Sequence, residues 1–227
     1  MPRSKKYQEA LKLIDSKKSY SPAEAIALIK KLSKTKFDAT VEAHFHLGID
    51  TAKGEQQVRG ILLFPHSVGK SKKVAVFTDD AGQETKAKEA GADLVGGDEL
   101  IAQIAQGGKC DFEVAIAAPA MMPKLAKIAK ILGPKGLMPN PKNETVTNDL
   151  VKAVTELKKG KMIFKNDKNA NVHMIIGKVS LDDAKLLENF NLLFEAVKKA
   201  KPHTSKGIFI QSVTLNATMS PPVKVTA

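Results

Sequence analysis

Two stretches of the sequence, residues 40–47 (TVEAHFHL) and 207–218 (GIFIQSVTLNAT), place short polar side chains at every second position. The polar members are Thr40, Glu42, His44, His46, Ser212, Thr214, Asn216 and Thr218. Period two is typical of a half-buried strand, so each stretch predicts one polar face. Hydroxyl, imidazole, amide and carboxylate groups supply donors and acceptors that suit either water or the 2′-hydroxyls and base edges of RNA.

The charge of the chain favours RNA over plain solvation. The 227 residues carry a net charge of +12 with 43% hydrophobic residues, which predicts a folded protein attracted to polyanions. Lysines expected in turns or strands near the polar faces are Lys36, Lys165, Lys168, Lys178 and Lys206. With two Tyr, nine Phe and no Trp, a base-stacking platform is not expected. We therefore predict recognition of folded RNA by shape and polar contact, with an ordinary solvated sheet face as the alternative.

His44 and His46 also have the spacing to share a metal ion on one strand face. A metal site needs at least a third ligand, and Glu42 is the single nearby candidate in sequence. We therefore expect no metal and assign these histidines to solvent or RNA.

Two glycine–lysine stretches resemble phosphate-binding loops. Residues 131–142 read ILGPKGLMPNPK, and GKS occurs at 69–71. A P-loop needs glycine five residues before Gly69, where Phe64 stands, and it should open a helix. The single Cys110 and the absence of a G-x-S-x-G motif give no basis for nucleophilic catalysis. We predict a non-enzymatic protein without cofactor or catalytic residues, with a nucleotide-dependent enzyme as the alternative.

The cysteine content and the length of apolar runs indicate the cellular compartment. A lone cysteine fits a reducing environment, and no apolar run approaches the roughly 20 residues needed to span a bilayer. A basic peripheral membrane protein is the third hypothesis, but an amphipathic basic helix with bulky aromatic residues is missing from the sequence. We expect a soluble, cytoplasmic protein with no membrane partner.

The elements that must position these residues change character along the chain. Strands are predicted at 40–47, 57–64, 74–77, 93–95, 113–118, 162–164, 172–177 and 207–218. Helices are predicted at 21–32, 84–92, 99–106 and 123–132, and after Ser180. Ser21 with Glu24, and Ser180 with Asp183, read as capping boxes.

Strand–helix alternation between residues 74 and 132 predicts a parallel α/β layer, whereas the outer segments alternate like antiparallel strands. We predict a split α+β domain, 1–66 plus 160–227, with an α/β domain inserted at 67–159. Crossings at 66–73 and 158–161 would form a hinge. The outer pieces hold 22 Lys/Arg against 12 Asp/Glu and the middle 14 against 12, so the polyanion surface is expected on the split domain.

Six segments together resemble the L-one family of large-subunit ribosomal proteins, of bacterial type. They are KFDATVEAHFHLGID (36–50), VRGILLFPHSVGK (58–70), ADLVGG (92–97), ILGPKGLMPNPK (131–142), FKNDKNANVHMIIGK (164–178) and SVTLNATMSPPVKV (212–225). The resemblance covers nearly the whole chain and includes the family fingerprint at 131–142. It implies a split α+β domain with an inserted Rossmann-like, three-layer α/β domain.

The resemblance also implies partners. These are large-subunit ribosomal RNA of the mobile stalk, exit-site tRNA released as the stalk moves, and the messenger of the protein's own operon, whose translation it would repress. We expect a monomer when the protein is free of the ribosome.

The family's RNA contacts, carried over to this chain, fall on the first and last strands. They are Phe37, Thr40, Glu42, Ser212, Thr218 and Met219, and Lys36 lies beside the first group. The family usually has glycine after the Thr–Met pair, where this chain has Ser220. If that glycine serves a positive φ or a close backbone approach, Ser220 is expected to weaken or reshape the contact.

Overall fold

The computed structural model describes residues 4–15, 18–66, 68–69, 72–108 and 110–226. The chain divides into two compact units, Met1–Gly69 with Met162–Ala227, and Lys70–Lys161. We call them the split unit and the inserted unit. The division at 66/67 and 159/160 stays a prediction about domains, because compactness does not measure independent folding. The predicted hinge and the GKS motif include residues 67, 70 and 71, which lie outside the described residues.

The helices and strands follow one another along the chain in a fixed order. They are α1 (Lys5–Lys12), α2 (Pro22–Leu32), β1 (Thr40–Leu47), β2 (Arg59–Leu63), β3 (Val74–Phe77), α3 (Ala81–Glu89), β4 (Leu94–Gly96), α4 (Asp98–Gly107), β5 (Val114–Ala117), α5 (Met122–Leu125), α6 (Ala129–Leu132), α7 (Leu150–Lys158), β6 (Lys161–Lys165), β7 (Asn171–Lys178), α8 (Asp183–Lys199), β8 (Ile210–Ala217) and β9 (Val223–Val225). Short 3₁₀ turns lie at Gly54–Gln56, Pro119–Met121, Ala126–Ile128 and Pro141–Asn143.

The split unit is built on a four-stranded antiparallel sheet in the order β7-β1-β8-β9. Its inward-facing residues alternate with polar ones, as predicted for 40–47 and 212–218, and helices α2 and α8 pack on the apolar face. Phe45 is fully buried there and stacks on Phe190, with ring centroids 6.4 Å apart. A separate two-stranded sheet pairs β2 with β6. Covering one face with helices leaves the polar face of the sheet open.

The inserted unit is a three-layer α/β structure. Its parallel sheet has the order β4-β3-β5, and β3 is buried along its whole length. Residues of α3 and α7 pack on one face of the sheet, and residues of α4 and the 122–132 segment pack on the other. A continuous apolar run such as VAVF is what a strand covered on both faces requires. The predicted fold class is confirmed.

Local capping signals were confirmed in one helix and wrong in another. Ser21 and Glu24 form the reciprocal capping box at the start of α2. Helix α8, in contrast, begins at Asp183 after Asp182, whose side chain makes no capping hydrogen bond. The Ser180 hydroxyl and backbone N–H donate to the Asp38 carboxylate at 2.8 and 3.1 Å. The Asp183 carboxylate pairs with the Lys30 ammonium instead, so both partners of the predicted box are engaged elsewhere.

Several predicted bounds also differ from the structure. Helix α3 begins earlier than predicted because Asp80 caps it by accepting from the Gly82 N–H at 2.9 Å. The predicted helix at 123–132 is interrupted by a 3₁₀ turn, and the last long strand begins at Ile210 rather than 207. Three elements were not predicted: α1, α7 and β9. Local signals were present for α7, because Asp149 caps it and Leu150, Ala153, Val154 and Leu157 are buried at helical spacing. Strand β9, in contrast, has only three residues.

Candidate nucleic-acid interface

The polar side of the four-stranded sheet forms a continuous surface, which we call the open face. Register places His44 of β1 between His173 of β7 and Thr214 of β8, and the same pairing extends in both directions. The side chains on this face are Thr40, Glu42, His44, His46, Asn171, His173, Ile175, Lys178, Ser212, Thr214, Asn216 and Lys224. All but Ile175 are polar or charged, so the face offers hydrogen-bonding groups over four strands.

One end of the open face is held by hydrogen bonds between three strand ends. The Lys178 ammonium donates to the Thr40 hydroxyl at 2.7 Å. The Thr40 N–H donates to the Thr218 hydroxyl at 3.2 Å, and the Thr218 N–H donates to the Thr40 carbonyl at 3.0 Å. An ammonium has three donors, so one bond to Thr40 orients Lys178 and leaves capacity for a phosphate. Thr40, Lys178 and Thr218, all predicted, therefore meet in one cluster.

The turn after β8 carries the one strained residue of this cluster. Met219 has a φ of 68° and an exposed fraction of 77%. The Ser220 hydroxyl accepts from the Ala217 N–H at 2.9 Å, and the Ser220 N–H donates to the Ala217 carbonyl at 2.8 Å. The hypothesis that Ser220 occupies a position needing positive φ is wrong, because the left-handed residue is Met219 and the serine hydroxyl closes the turn.

Phe37 and Met219 line the same groove, of about 330 Å³, beside helix α1. Phe37 is 54% exposed, and Lys36 is also exposed on the rim. Sequence reasoning missed that Lys6 and Tyr7 of α1 form the opposite wall. The Ser4 hydroxyl caps α1 by accepting from the Tyr7 N–H at 3.4 Å, which indicates a helix but not its position beside Phe37. Two exposed apolar side chains among lysines are suited to an unstacked base next to phosphates.

A chain of hydrogen bonds crosses the middle of the open face. His44 Nε2 lies 3.0 Å from Asn216 Oδ1, and its Nδ1 lies 2.8 Å from the Nδ1 of His173. Because Asn216 Oδ1 accepts, His44 Nε2 carries a proton, and in neutral His44 the Nδ1 then accepts from His173. His173 Nε2 lies 3.6 Å from Asp167 Oδ2. This arrangement fixes the donor and acceptor atoms that His44 and His173 present.

Asp167 anchors that chain to the turn before β7. The Asn171 backbone N–H donates to Asp167 Oδ1 at 2.6 Å, and the Asn169 N–H donates at 2.9 Å. The hydrogen bond from Asn171 lowers the pKa of the Asp167 carboxyl below its usual value, with further lowering by Asn169 and by nearby His173. Asp167 is therefore ionised at neutral pH and presents only hydrogen-bond acceptors to its neighbours.

The predicted site residues divide between the two ends of the face. Ser212 lies opposite His46, about 20 Å along β1 from Thr40 at the usual strand rise. Lys168 lies in the turn before β7, near this second end, where its carbonyl accepts from the Thr51 hydroxyl at 2.8 Å. Glu42, His44 and Thr214 lie between the ends. The exposed Lys165 ends β6 of the two-stranded sheet and is not part of the open face.

Two positively charged positions on or beside the open face were not predicted. Lys224 of β9 pairs with Thr214 and is exposed, and Lys34 lines the groove beside Phe37. Neither stands out in sequence because β9 was not predicted and lysines are frequent throughout the chain. Lys224 adds positive charge near the predicted contacts, whereas the Lys34 ammonium pairs with the Glu9 carboxylate at 3.3 Å.

The inserted unit does not offer a nucleotide site where α/β sheets usually have one. Ligands bind such sheets at the carboxyl ends of the strands. There Lys124 bridges Asp79 at 2.6 Å and Asp98 at 2.9 Å, and these hydrogen bonds raise the pKa of Lys124. Carboxylates at this edge repel a phosphate, and the ion pairs occupy it.

The 131–142 loop is built into the same unit rather than shaped as a phosphate cradle. Leu137 and Met138 pack against its hydrophobic core, and the Lys135 ammonium donates to the Gly108 carbonyl at 2.9 Å. The loop follows α6 instead of leading from a strand into a helix. These contacts disfavour the nucleotide-dependent alternative.

No group of three or more His, Cys, Asp or Glu side chains among residues 4–15, 18–66, 68–69, 72–108 and 110–226 is placed to hold a metal ion. Within the same ranges, no helix has the length and apolar character to cross a membrane.

Comparisons with known proteins agree with the resemblance seen in the sequence. Residues 29–221 match the model described as the ribosomal protein L1p/L10e family. The large ribosomal subunit protein uL1 of Aster yellows witches'-broom phytoplasma (strain AYWB) is 50% identical over 226 residues, covering 99% of this chain and 97% of that protein. The chain therefore belongs to the ribosomal protein L1p/L10e family.

Proposed function

We propose that this chain is a structural constituent of the large ribosomal subunit and binds its ribosomal RNA through the split unit. Membership of a ribosomal protein family and 50% identity to a large-subunit protein support this role. The net charge of +12 supports a polyanionic partner. The expected location is the ribosome, in the cytoplasm. This role requires no catalysis.

The observation that carries the proposed contact is the cluster at the Thr40 end of the open face. Lys178, Thr40 and Thr218 are joined there by hydrogen bonds, and the exposed Phe37 and Met219 line the adjoining groove. An oriented ammonium can neutralise a phosphate, the hydroxyls can bind 2′-hydroxyl groups, and the groove can take a base. Charge would supply affinity, and the shape of the cluster would supply specificity.

Three more specific RNA partners are proposed for the same surface. We propose that the ribosomal target is the mobile stalk, that the protein assists release of exit-site tRNA, and that it represses translation of its own operon messenger. The family resemblance supports these roles. A messenger structure similar to the stalk would occupy the same cluster, so the two RNAs are expected to compete.

The test is binding of the full chain to a stalk ribosomal RNA fragment across a salt series. Phe37→Ala is expected to weaken binding by roughly tenfold, within the range for loss of one stacking contact. Leu63→Ala is the matched control, because Leu63 is 49% exposed in the same unit but lies in β2 of the separate two-stranded sheet. Unlabelled operon messenger should displace the stalk fragment.

Equal effects of the two substitutions would place the contact elsewhere on the split unit. Affinity that does not change with salt would remove the electrostatic part of the proposal, since each neutralised phosphate contributes close to one unit of the logarithmic salt slope.

A further inference from the structure

Charge is distributed unevenly over the inserted unit. Residues 114–143 contain five lysines and no Asp or Glu. The rest of the unit, within Lys70–Lys161, contains ten lysines and twelve acidic residues. One segment therefore carries the positive charge of a unit that is otherwise slightly acidic.

The fold aligns the lysines of this segment. Lys124, Lys127 and Lys130 recur at every third position through α5, the Ala126–Ile128 turn and α6. Leu125, Ile128 and Leu132 are buried on the opposite side. Every third residue lies on the same side of a helical segment, most closely where the winding is 3₁₀. Lys127 and Lys130 are accordingly both exposed.

Both ends of this line of lysines are fixed to helix α4. Lys124 contacts Asp98, the first residue of α4, and Lys135 donates to the Gly108 carbonyl just beyond its last residue. Helix α4 has 10 residues and is therefore about 15 Å long. The lysines run beside α4 from one end to the other.

The neighbouring surface does not neutralise them. Beyond the acidic first turn, which contains the exposed Asp98 and Glu99, the exposed residues of α4 are Ala102, Gln103, Ala105, Gln106 and Gly107. Within the described residues, no carboxylate forms a salt bridge with Lys127, Lys130 or Lys135. Lysines on one side of a helix repel each other, so an external anion would relieve an existing cost.

The opposite layer of the same unit shows the contrast. Glu84 and Lys88 of α3, and Lys152 and Glu156 of α7, are spaced four residues apart with opposite charge. That arrangement is typical of a solvated helical surface. The layer with α4 lacks this alternation, although both layers cover the same sheet.

We propose that Lys127, Lys130 and Lys135, together with Gln103 and Gln106 of α4, form a second RNA-binding surface for the phosphate backbone of double-helical RNA. The lysines bind phosphates, and the glutamine amides donate to or accept from phosphate and 2′-hydroxyl oxygens. This surface lies on the inserted unit and does not use the open face. It therefore goes beyond the function proposed above, and it is independent of base sequence.

The test uses the full chain with its open face occupied by saturating, unlabelled stalk RNA fragment. A labelled RNA hairpin of unrelated sequence is then titrated at several salt concentrations. The variant Lys127→Gln/Lys130→Gln/Lys135→Gln is compared with Lys86→Gln/Lys88→Gln/Lys152→Gln, which removes the same charge from exposed lysines of the opposite layer. Melting curves show that both variants are folded.

The first variant is expected to lose roughly one hundredfold or more in hairpin affinity at 0.1 M salt, with the salt slope reduced by about three. The control should lose less than threefold. Equal losses, or no hairpin binding by the unsubstituted protein, would overturn the second surface. Stalk RNA affinity is measured separately: if the stalk fragment does not bind, the proposed function fails, while the hairpin comparison still decides the second surface.

Discussion

Replacing Met219 by glycine should raise stability and lower RNA affinity at the same time. Met219 has a φ of 68°, and a left-handed conformation costs a residue with a Cβ about 1–2 kcal/mol. Glycine removes that cost but loses about 0.5–1 kcal/mol of backbone entropy on folding. The methionine side chain is 77% exposed, so little apolar burial is lost. The net expectation is a gain of about 0.5–1 kcal/mol in the free energy of unfolding.

The effect on binding should have the opposite sign. Met219 and Phe37 line the same groove, where the thioether is available to a base. Loss of this contact should weaken binding of the stalk RNA fragment about fivefold to tenfold. Met219→Ala separates the two effects, because it removes the side chain but keeps the Cβ that strains the turn. It should lose the same affinity without any gain in stability.

The assays are urea unfolding and filter binding on the same preparations, with Ala170→Gly as control. Ala170 also has a positive φ, 62°, but it lies in the turn before β7 and is 7% exposed. Relief of strain there is offset by about 0.8 kcal/mol for loss of a buried methyl group, and RNA affinity should not change. The reasoning is refuted if Met219→Gly destabilises the protein or binds RNA as tightly as the unsubstituted chain.

Three further outcomes are expected. Thr40→Val removes the hydroxyl that accepts from Lys178 at 2.7 Å. In filter binding, stalk RNA affinity should fall about tenfold, while in urea unfolding the free energy of unfolding should change by less than about 1 kcal/mol. Unchanged RNA affinity would exclude Thr40 from the contact. Asp167 has a lowered pKa, caused first by the Asn171 N–H, so its contribution to stability is complete above pH 3.8, the ordinary value, and is lost as the pH falls through the lowered value. Urea midpoints between pH 2 and 5 should therefore depend less on pH in Asp167→Asn, and identical profiles would contradict this assignment. Millimolar ATP with magnesium should leave the melting temperature unchanged within about 1 °C, because Lys124 and its carboxylates occupy the sheet edge, whereas a rise of several degrees would restore the nucleotide hypothesis.

Period-two patterning was sufficient to predict which side chains of β1 and β8 share the open face. That pattern reflects burial, which every second residue experiences regardless of its partner strand. It could not predict the bond between His44 and His173, because that pair depends on the register of strands far apart in sequence. The hydrogen-bonded centre of the candidate site therefore came from the structure.

Capping signals show the same limit. Ser21 and Glu24 are three residues apart, so the chain brings them together wherever a helix begins. Ser180 had an equally good local partner in Asp183, yet it bonds to Asp38. The groove wall supplied by α1 was also unpredictable, because nothing local indicates that residues 5–12 lie beside Phe37. A local capping pattern therefore predicts the hydrogen bond correctly only where no distant residue competes for the same atoms.

The position of β1 in its sheet has a consequence for the order of folding during synthesis. β1 lies between β7 and β8, so both of its neighbours are made only after the inserted unit has been completed. All strands of the parallel β4-β3-β5 sheet, in contrast, lie within a single continuous segment. Contacts between distant segments form slowly. We therefore expect the inserted unit to fold on the nascent chain while β1 is still unpaired, and the four-stranded sheet to form last.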